Sequence, residues 1–145
     1  MKKIIPLVSL SLLLAACSSQ DKVSMVTPSD LQHHHWELSE IDGTPVAENK
    51  FGQVPDIEIG ENMNSHGSTG CNSYRGMAEI NAETGKFRIS KMAMTMKMCQ
   101  GDAMTTERAV ASTLSAWSTI DLNKQSLELS NDEHTLTFVL KDWVQ

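Results

Sequence analysis

From Leu31 onward, apolar and polar residues alternate with a period of two over several short stretches, and this pattern predicts β-strands. Trp36 and Leu38 stand between Glu37 and Ser39. Asp42-Gly43 offers a tight hairpin turn, and Thr44-Pro45-Val46 begins the return. Ile57 and Ile59 alternate again before the polar turn Glu61-Asn62-Met63-Asn64. Ser65 to Thr69 is small and polar and reads equally as strand or loop. Met77-Ala78-Glu79-Ile80 and Phe87-Arg88-Ile89 flank Ala82-Glu83-Thr84-Gly85-Lys86 as a hairpin. Leu127 and Leu129, then Leu136, Phe138 and Leu140, give two more strands turning at Asn131-Asp132.

One segment has another period. Between Gly101 and Thr119, the residues Ala103, Val110, Leu114 and Trp117 fall on one helical face, and Asp102 is placed to cap its start. Short antiparallel strands, about seven or eight, with one late helix define an α+β, mostly β class. The expected architecture is a curved antiparallel sheet or incomplete barrel packed on that helix.

The N-terminus is different in kind. Ile4 to Ala16 is an apolar run behind Lys2-Lys3, too short to span a bilayer, and it reads as a secretory signal. It ends in Leu14-Ala15-Ala16-Cys17, which resembles the bacterial lipobox, in which the cysteine is acylated and becomes the first mature residue. Ser18-Ser19 lacks the Asp after Cys17 that retains lipoproteins in the inner membrane, so the expected address is the outer membrane, lipid-anchored, on its periplasmic side. Acyl chains at about 0.8 kcal/mol per buried CH₂ would make that anchoring stable. The predicted organisation is a signal over residues 1–16, a lipidated N-terminus and polar tether over 17–30, and a domain over 31–145.

Cleavage changes the charge and the cysteine count. Without Lys2 and Lys3, 10 Lys+Arg face 18 Asp+Glu, a net charge of −8. Such a domain repels nucleic acid, and nucleic-acid binding is excluded as an expectation. Cys71 and Cys99 remain as an even pair in an oxidising compartment, which predicts a structural disulfide. Closing a loop of about 29 residues should stabilise the fold by roughly 3–4 kcal/mol.

Gly70-Cys71-Asn72-Ser73-Tyr74-Arg75-Gly76 is the densest turn signal in the chain, and Met94-Thr95-Met96-Lys97-Met98-Cys99 follows downstream. Together with Trp36-Glu37-Leu38 and Asp42-Gly43-Thr44-Pro45-Val46, these motifs resemble the META domain family over about Leu31 to Leu140. Lys97 departs from the Arg usual there, which removes a planar guanidinium from that position. The resemblance implies a lipocalin-like antiparallel barrel with a helix. It also implies links to heat shock, envelope integrity and novobiocin resistance, with no established enzymatic activity or ligand.

Candidate chemistry is sparse. The sequence carries no nucleophile elbow, zinc-protease helix motif or phosphate loop, so no catalytic residue and no cofactor are expected. His33-His34-His35 would supply two ligands from one strand face, short of a firm metal site. Met92, Met94, Met96 and Met98 alternate strictly and, on a strand, would share one face. That face reads as core, as the lining of an adaptable pocket, or as a Cu(I) site, since thioethers select that ion. Trp36, Met94, Met96 and Phe138 are the candidate ligand-binding residues of a partly open barrel. The functional expectation is a non-enzymatic, monomeric lipoprotein that supports envelope integrity by binding envelope proteins. The alternatives are a carrier of a small apolar ligand and a copper or zinc binder.

Overall fold

The computed structural model describes residues 25–48 and 53–143. The signal segment, Cys17 and most of the tether lie outside the described residues. A short helix α1 (Pro28–Leu31) precedes β1 (His34–Ile41), β2 (Thr44–Pro45), β3 (Asp56–Ile59) and a 3₁₀ turn at Glu61–Met63. Then come β4 (Asn64–Ser68), β5 (Ser73–Asn81), β6 (Lys86–Met94), α2 (Asp102–Ser115), β7 (Ser118–Leu122), β8 (Ser126–Ser130) and β9 (Thr135–Trp143).

Each strand pairs antiparallel with its neighbour, and β9 returns to pair with β1 from Ile41↔Leu136 to His34↔Trp143. The sheet is therefore a closed eight-stranded barrel, with β2 a short flap hairpinned onto β1. The curved-sheet alternative gives way to closure. The flap turn is the one its residues demand, with Asp42 and Gly43 both at positive φ. Asp42 also clips the barrel rim, because its carboxylate accepts the Thr135 N–H at 2.8 Å and meets His134 Nδ1 at 2.9 Å. Those two contacts hold the Asp42 carboxyl below its ordinary range, the Thr135 N–H most of all.

The alternating apolar residues point inward as expected. Trp36, Leu38, Ile57, Ile59, Phe87, Ile89, Leu127, Leu129, Leu136 and Phe138 are all buried in one cluster, with Val110 and Leu114 of α2. Full burial of each large side chain contributes roughly 1.5–3 kcal/mol. The seam between β6 and β7 is narrow, with two paired positions, Lys86↔Thr119 and Phe87↔Ser118. Helix α2 packs chiefly against β6 beside that seam.

Order begins before Leu31. Thr27 caps α1 through a reciprocal box with Asp30, whose carboxylate accepts the Thr27 N–H at 2.8 Å and the Thr27 hydroxyl at 2.6 Å. Leu31 then enters the core fully buried. At the other boundary, α2 stops at Ser115, so Trp117 is not on its apolar face. Trp117 is 39% exposed and carries the Arg88 guanidinium at 4.4 Å from its ring centre. The helix is capped at Gly101 instead of Asp102, which is its first residue. Strand β7, where Ser118 and Ile120 face inward, is absent from the sequence expectation because a helical reading had absorbed its first residues.

The antiparallel order decides which turns share an end of the barrel. At the end where β1 starts lie α1, the 3₁₀ turn and the β5–β6 hairpin. At the opposite end lie the Asp42-Gly43 turn, the β4–β5 turn, the segment after Met94 and the Asn131-Asp132 turn.

Candidate functional site

At that opposite end, two of the sequence motifs and α2 meet. Gly70 turns the chain at φ +109, with Thr106 close to where a Cβ would stand. Cys71 is bonded to Cys99, with their Cα atoms 5.9 Å apart, so the expected disulfide is present. Between them Asn72 is a buried hub. Its side-chain oxygen accepts the Lys97 N–H at 2.7 Å and the Thr95 hydroxyl at 2.8 Å. Its amide donates to the Lys97 carbonyl at 3.1 Å and to the Glu107 carboxylate at 2.9 Å. The Asn72 backbone N–H donates to the same carboxylate at 2.8 Å, and the Thr69 hydroxyl lies 3.2 Å from it.

Glu107 is the residue that sequence reasoning missed. It sits on the inner face of α2, 8% exposed, and among the described residues no Lys or Arg pairs with it. A buried carboxylate is tolerable only when its lone pairs are filled, and here neutral donors from the β4–β5 turn fill them. The signal in the sequence was a Glu on the same helical face as Val110 and Leu114.

The rest of the turn motif is explained by packing. Tyr74 is buried and its hydroxyl donates to the Asp56 carbonyl at 3.1 Å; burial pushes the phenol well above its ordinary pKa. Gly76 lies against a bulge in β6, where the register slips between Arg75 and Met77 and Lys91 takes φ +51. A Cβ at Gly76 would stand 2.6 Å from Ile89 Cγ2 and 2.7 Å from the Ser90 carbonyl oxygen. The bulge also changes parity. Phe87 and Ile89 face inward before it, and Met92 and Met94 pack against the core after it.

The methionine row nonetheless does not share one face. Strand β6 ends at Met94, because the next residues leave the ladder for the Asn72 hub and the disulfide. Thr95 through its hydroxyl, Lys97 through its backbone and Cys99 through the disulfide tie this segment down. Met96 and Met98 are left outside, 94% and 91% exposed. Of the four candidate ligand-binding residues, Trp36 and Phe138 are buried in the core cluster, Met94 packs at its margin, and Met96 faces solvent. They are not brought together around a ligand, and the expectation of a shared lining is corrected. Lys97 uses only its backbone at Asn72, so no guanidinium is needed there.

The histidines take carboxylate partners. His33 meets Glu61 at 3.1 Å, His35 meets Asp56 at 2.9 Å and His66 meets Glu58 at 3.4 Å. His34 points toward the core beside Trp36, and burial, aided by the charge of His33, depresses its pKa. Among the described residues, no three His, Cys, Asp or Glu side chains are placed to hold a metal ion. An open groove of about 330 Å³ lies outside β1, β3 and β9, lined by His35, Glu37, Glu48, Val54, Asp56 and Lys141. It is polar and crossed by the His35–Asp56 hydrogen bond and the Lys141–Glu37 ion pair at 3.4 Å.

Comparison with known proteins places this arrangement. Heat shock protein HslJ of Escherichia coli (strain K12) is 36% identical over 143 residues, 98% of each chain. An NMR structure that is 32% identical covers 80% of this chain and 96% of its own, with a TM-score of 0.68. A second NMR structure, of a protein from Burkholderia xenovorans, shares 22% identity over 94% of this chain and 99% of its own at a TM-score of 0.60, a likeness of fold. The META domain profile matches residues 29–143, and the chain belongs to the META domain family.

Proposed function

We propose that the chain is a non-enzymatic lipoprotein, anchored through Cys17 to the periplasmic side of the outer membrane, that supports envelope integrity under heat or novobiocin-type stress by binding protein. Its kinship with a heat-shock protein supports the stress-related part. One contrast carries the choice of protein binding over ligand carriage. The inward aromatic side chains, Trp36, Phe87 and Phe138, close on one another, while Met96 and Met98 stand exposed on a pinned loop. A small apolar guest would have to displace core side chains that contribute roughly 1.5–3 kcal/mol each. Protein surfaces meet no such penalty at the loop.

The test is complementation. Cells lacking the gene should lose viability at high temperature and in novobiocin, and the intact chain should restore it. Cys17→Ser should leave the membrane fraction and restore less. A deletion strain as tolerant as its parent would sink the stress role, and a membrane-bound Cys17→Ser protein would sink the anchor.

A further inference from the structure

The charge of the domain is unevenly placed. Residues 23–74 hold eight Asp or Glu and one Lys, whereas residues 75–101 hold Arg75, Lys86, Arg88, Lys91 and Lys97 against Glu79 and Glu83. The β5–β6 sector and the loop after it are thus the basic part of an acidic molecule. Arg88 is engaged by Glu79 at 2.8 Å and by Trp117, and Lys91 also faces Glu79, but Arg75 and Lys97 are exposed. The same sector carries the two most exposed large apolar side chains among the described residues, Met96 and Met98, flanking Lys97.

These side chains stand on a braced backbone. Residue 95 is fixed by Ser73 through bonds of 3.0 and 3.1 Å, residue 97 by Asn72 on both its N–H and its carbonyl, and residue 99 by the disulfide. Bracing every second residue leaves little backbone entropy to lose on contact, which is the condition for preorganised binding. Methionine itself is flexible and polarisable, and it recurs on surfaces that accept varied polypeptides. The loop also lies at the end of the barrel opposite α1, where the chain comes from its N-terminus.

We infer that Met96, Lys97 and Met98, with Arg75 on the neighbouring strand, form a docking tip for an acidic, apolar polypeptide segment of another protein. This rests on the protein-binding reading above and names its surface. Thioethers take the apolar side chains, and Lys97 and Arg75 steer the acidic ones.

The test uses the full chain in detergent and two fluorescein-labelled 16-residue peptides of alternating Leu/Phe and charge, one with Glu and one with Lys. The Glu peptide should bind, with an affinity that falls as salt rises, and the Lys peptide should not. The Met96→Ser/Met98→Ser variant and Lys97→Glu should each weaken binding by roughly tenfold or more. Both should melt at the wild-type temperature, since those side chains are exposed. Equal binding by wild type and variants would overturn the tip while leaving protein binding standing. Failure of the Glu peptide to bind any form would overturn both. Protection of Met96 and Met98 from peroxide by phosphatidylglycerol vesicles and not by the Glu peptide would reassign the tip to a membrane. Self-association lost in Lys97→Glu would reassign it to a second copy of the chain.

Discussion

Replacing Glu107 isolates the brace from everything else in the fold. In Glu107→Gln one oxygen can keep the place of Oε2, which receives the Asn72 N–H at 2.8 Å and the Asn72 amide at 2.9 Å. The new amide then faces the Asn72 amide at the place of Oε1, donor against donor. Bonds to a charged acceptor are worth about 1.5–3 kcal/mol and neutral ones about 0.5–1.5, so the loss should be about 1–2 kcal/mol. In Glu107→Ala two buried Asn72 donors lose their acceptor at about 1–3 kcal/mol each, partly offset by no longer burying a charge. The expected cost is about 3–4 kcal/mol. Urea denaturation with the disulfide intact reads this directly, as a midpoint lowered by about 2 M for alanine and about 1 M for glutamine at unchanged slope. A double-mutant cycle with Asn72→Ala should return a coupling of at least about 1 kcal/mol. If alanine costs under about 0.5 kcal/mol, or if glutamine costs as much as alanine, the hydrogen-bond argument is refuted.

Other outcomes follow from the same geometry. Gly76→Ala should cost about 1–3 kcal/mol, seen as a lower melting temperature, because its methyl would press on backbone at the Lys91 bulge. A Cys71→Ser/Cys99→Ser chain should lose roughly 3–4 kcal/mol in urea while keeping its β-sheet circular dichroism; an unchanged midpoint would contradict a stapling role. Acid should destabilise the fold in two stages. His34 has a folded pKa below its ordinary 6.5, so the folded form binds fewer protons and stability falls as pH drops below about 6.5. The carboxyls of Asp30, Asp42 and Glu79 are depressed below their ordinary 3.8, 3.8 and 4.5, so their contribution holds above those values and is lost as pH falls through the lowered ones. Denaturation at pH 7.5, 5.5, 4.5 and 2.5 checks both stages, and His34→Asn should flatten the first.

Much of this architecture was legible from local pattern. Trp36/Leu38, Ile57/Ile59 and Leu127/Leu129 alternate within windows of four or five residues, and each such window is a strand with those residues inward. The Asp42-Gly43 turn carries its own backbone chemistry. The parts that escaped depend on contacts between distant residues. Nothing near Glu107 says that its partner is Asn72, 35 positions earlier. The Lys91 bulge that turns Met92 and Met94 inward has no Gly or Asn to announce a left-handed residue, and the Met alternation suggested one face although β6 ends at Met94. Trp117 extended a helical period past a helix that stops at Ser115, and this hid β7. Barrel closure, too, is a property of β1 and β9 together and of neither alone.

That closure has a consequence for how the chain is made. The strand that seals the barrel is synthesised after all the other described strands, and its partner, β1, before nearly all of them. Every shorter nascent chain has an open edge along β1, and the ring forms only once residues around 135–143 are delivered. Pairings this far apart in sequence are slow, since the long loop must close before any contact rewards it. Until β9 arrives the chain stays unsealed, its β1 edge open to pairing with other strands.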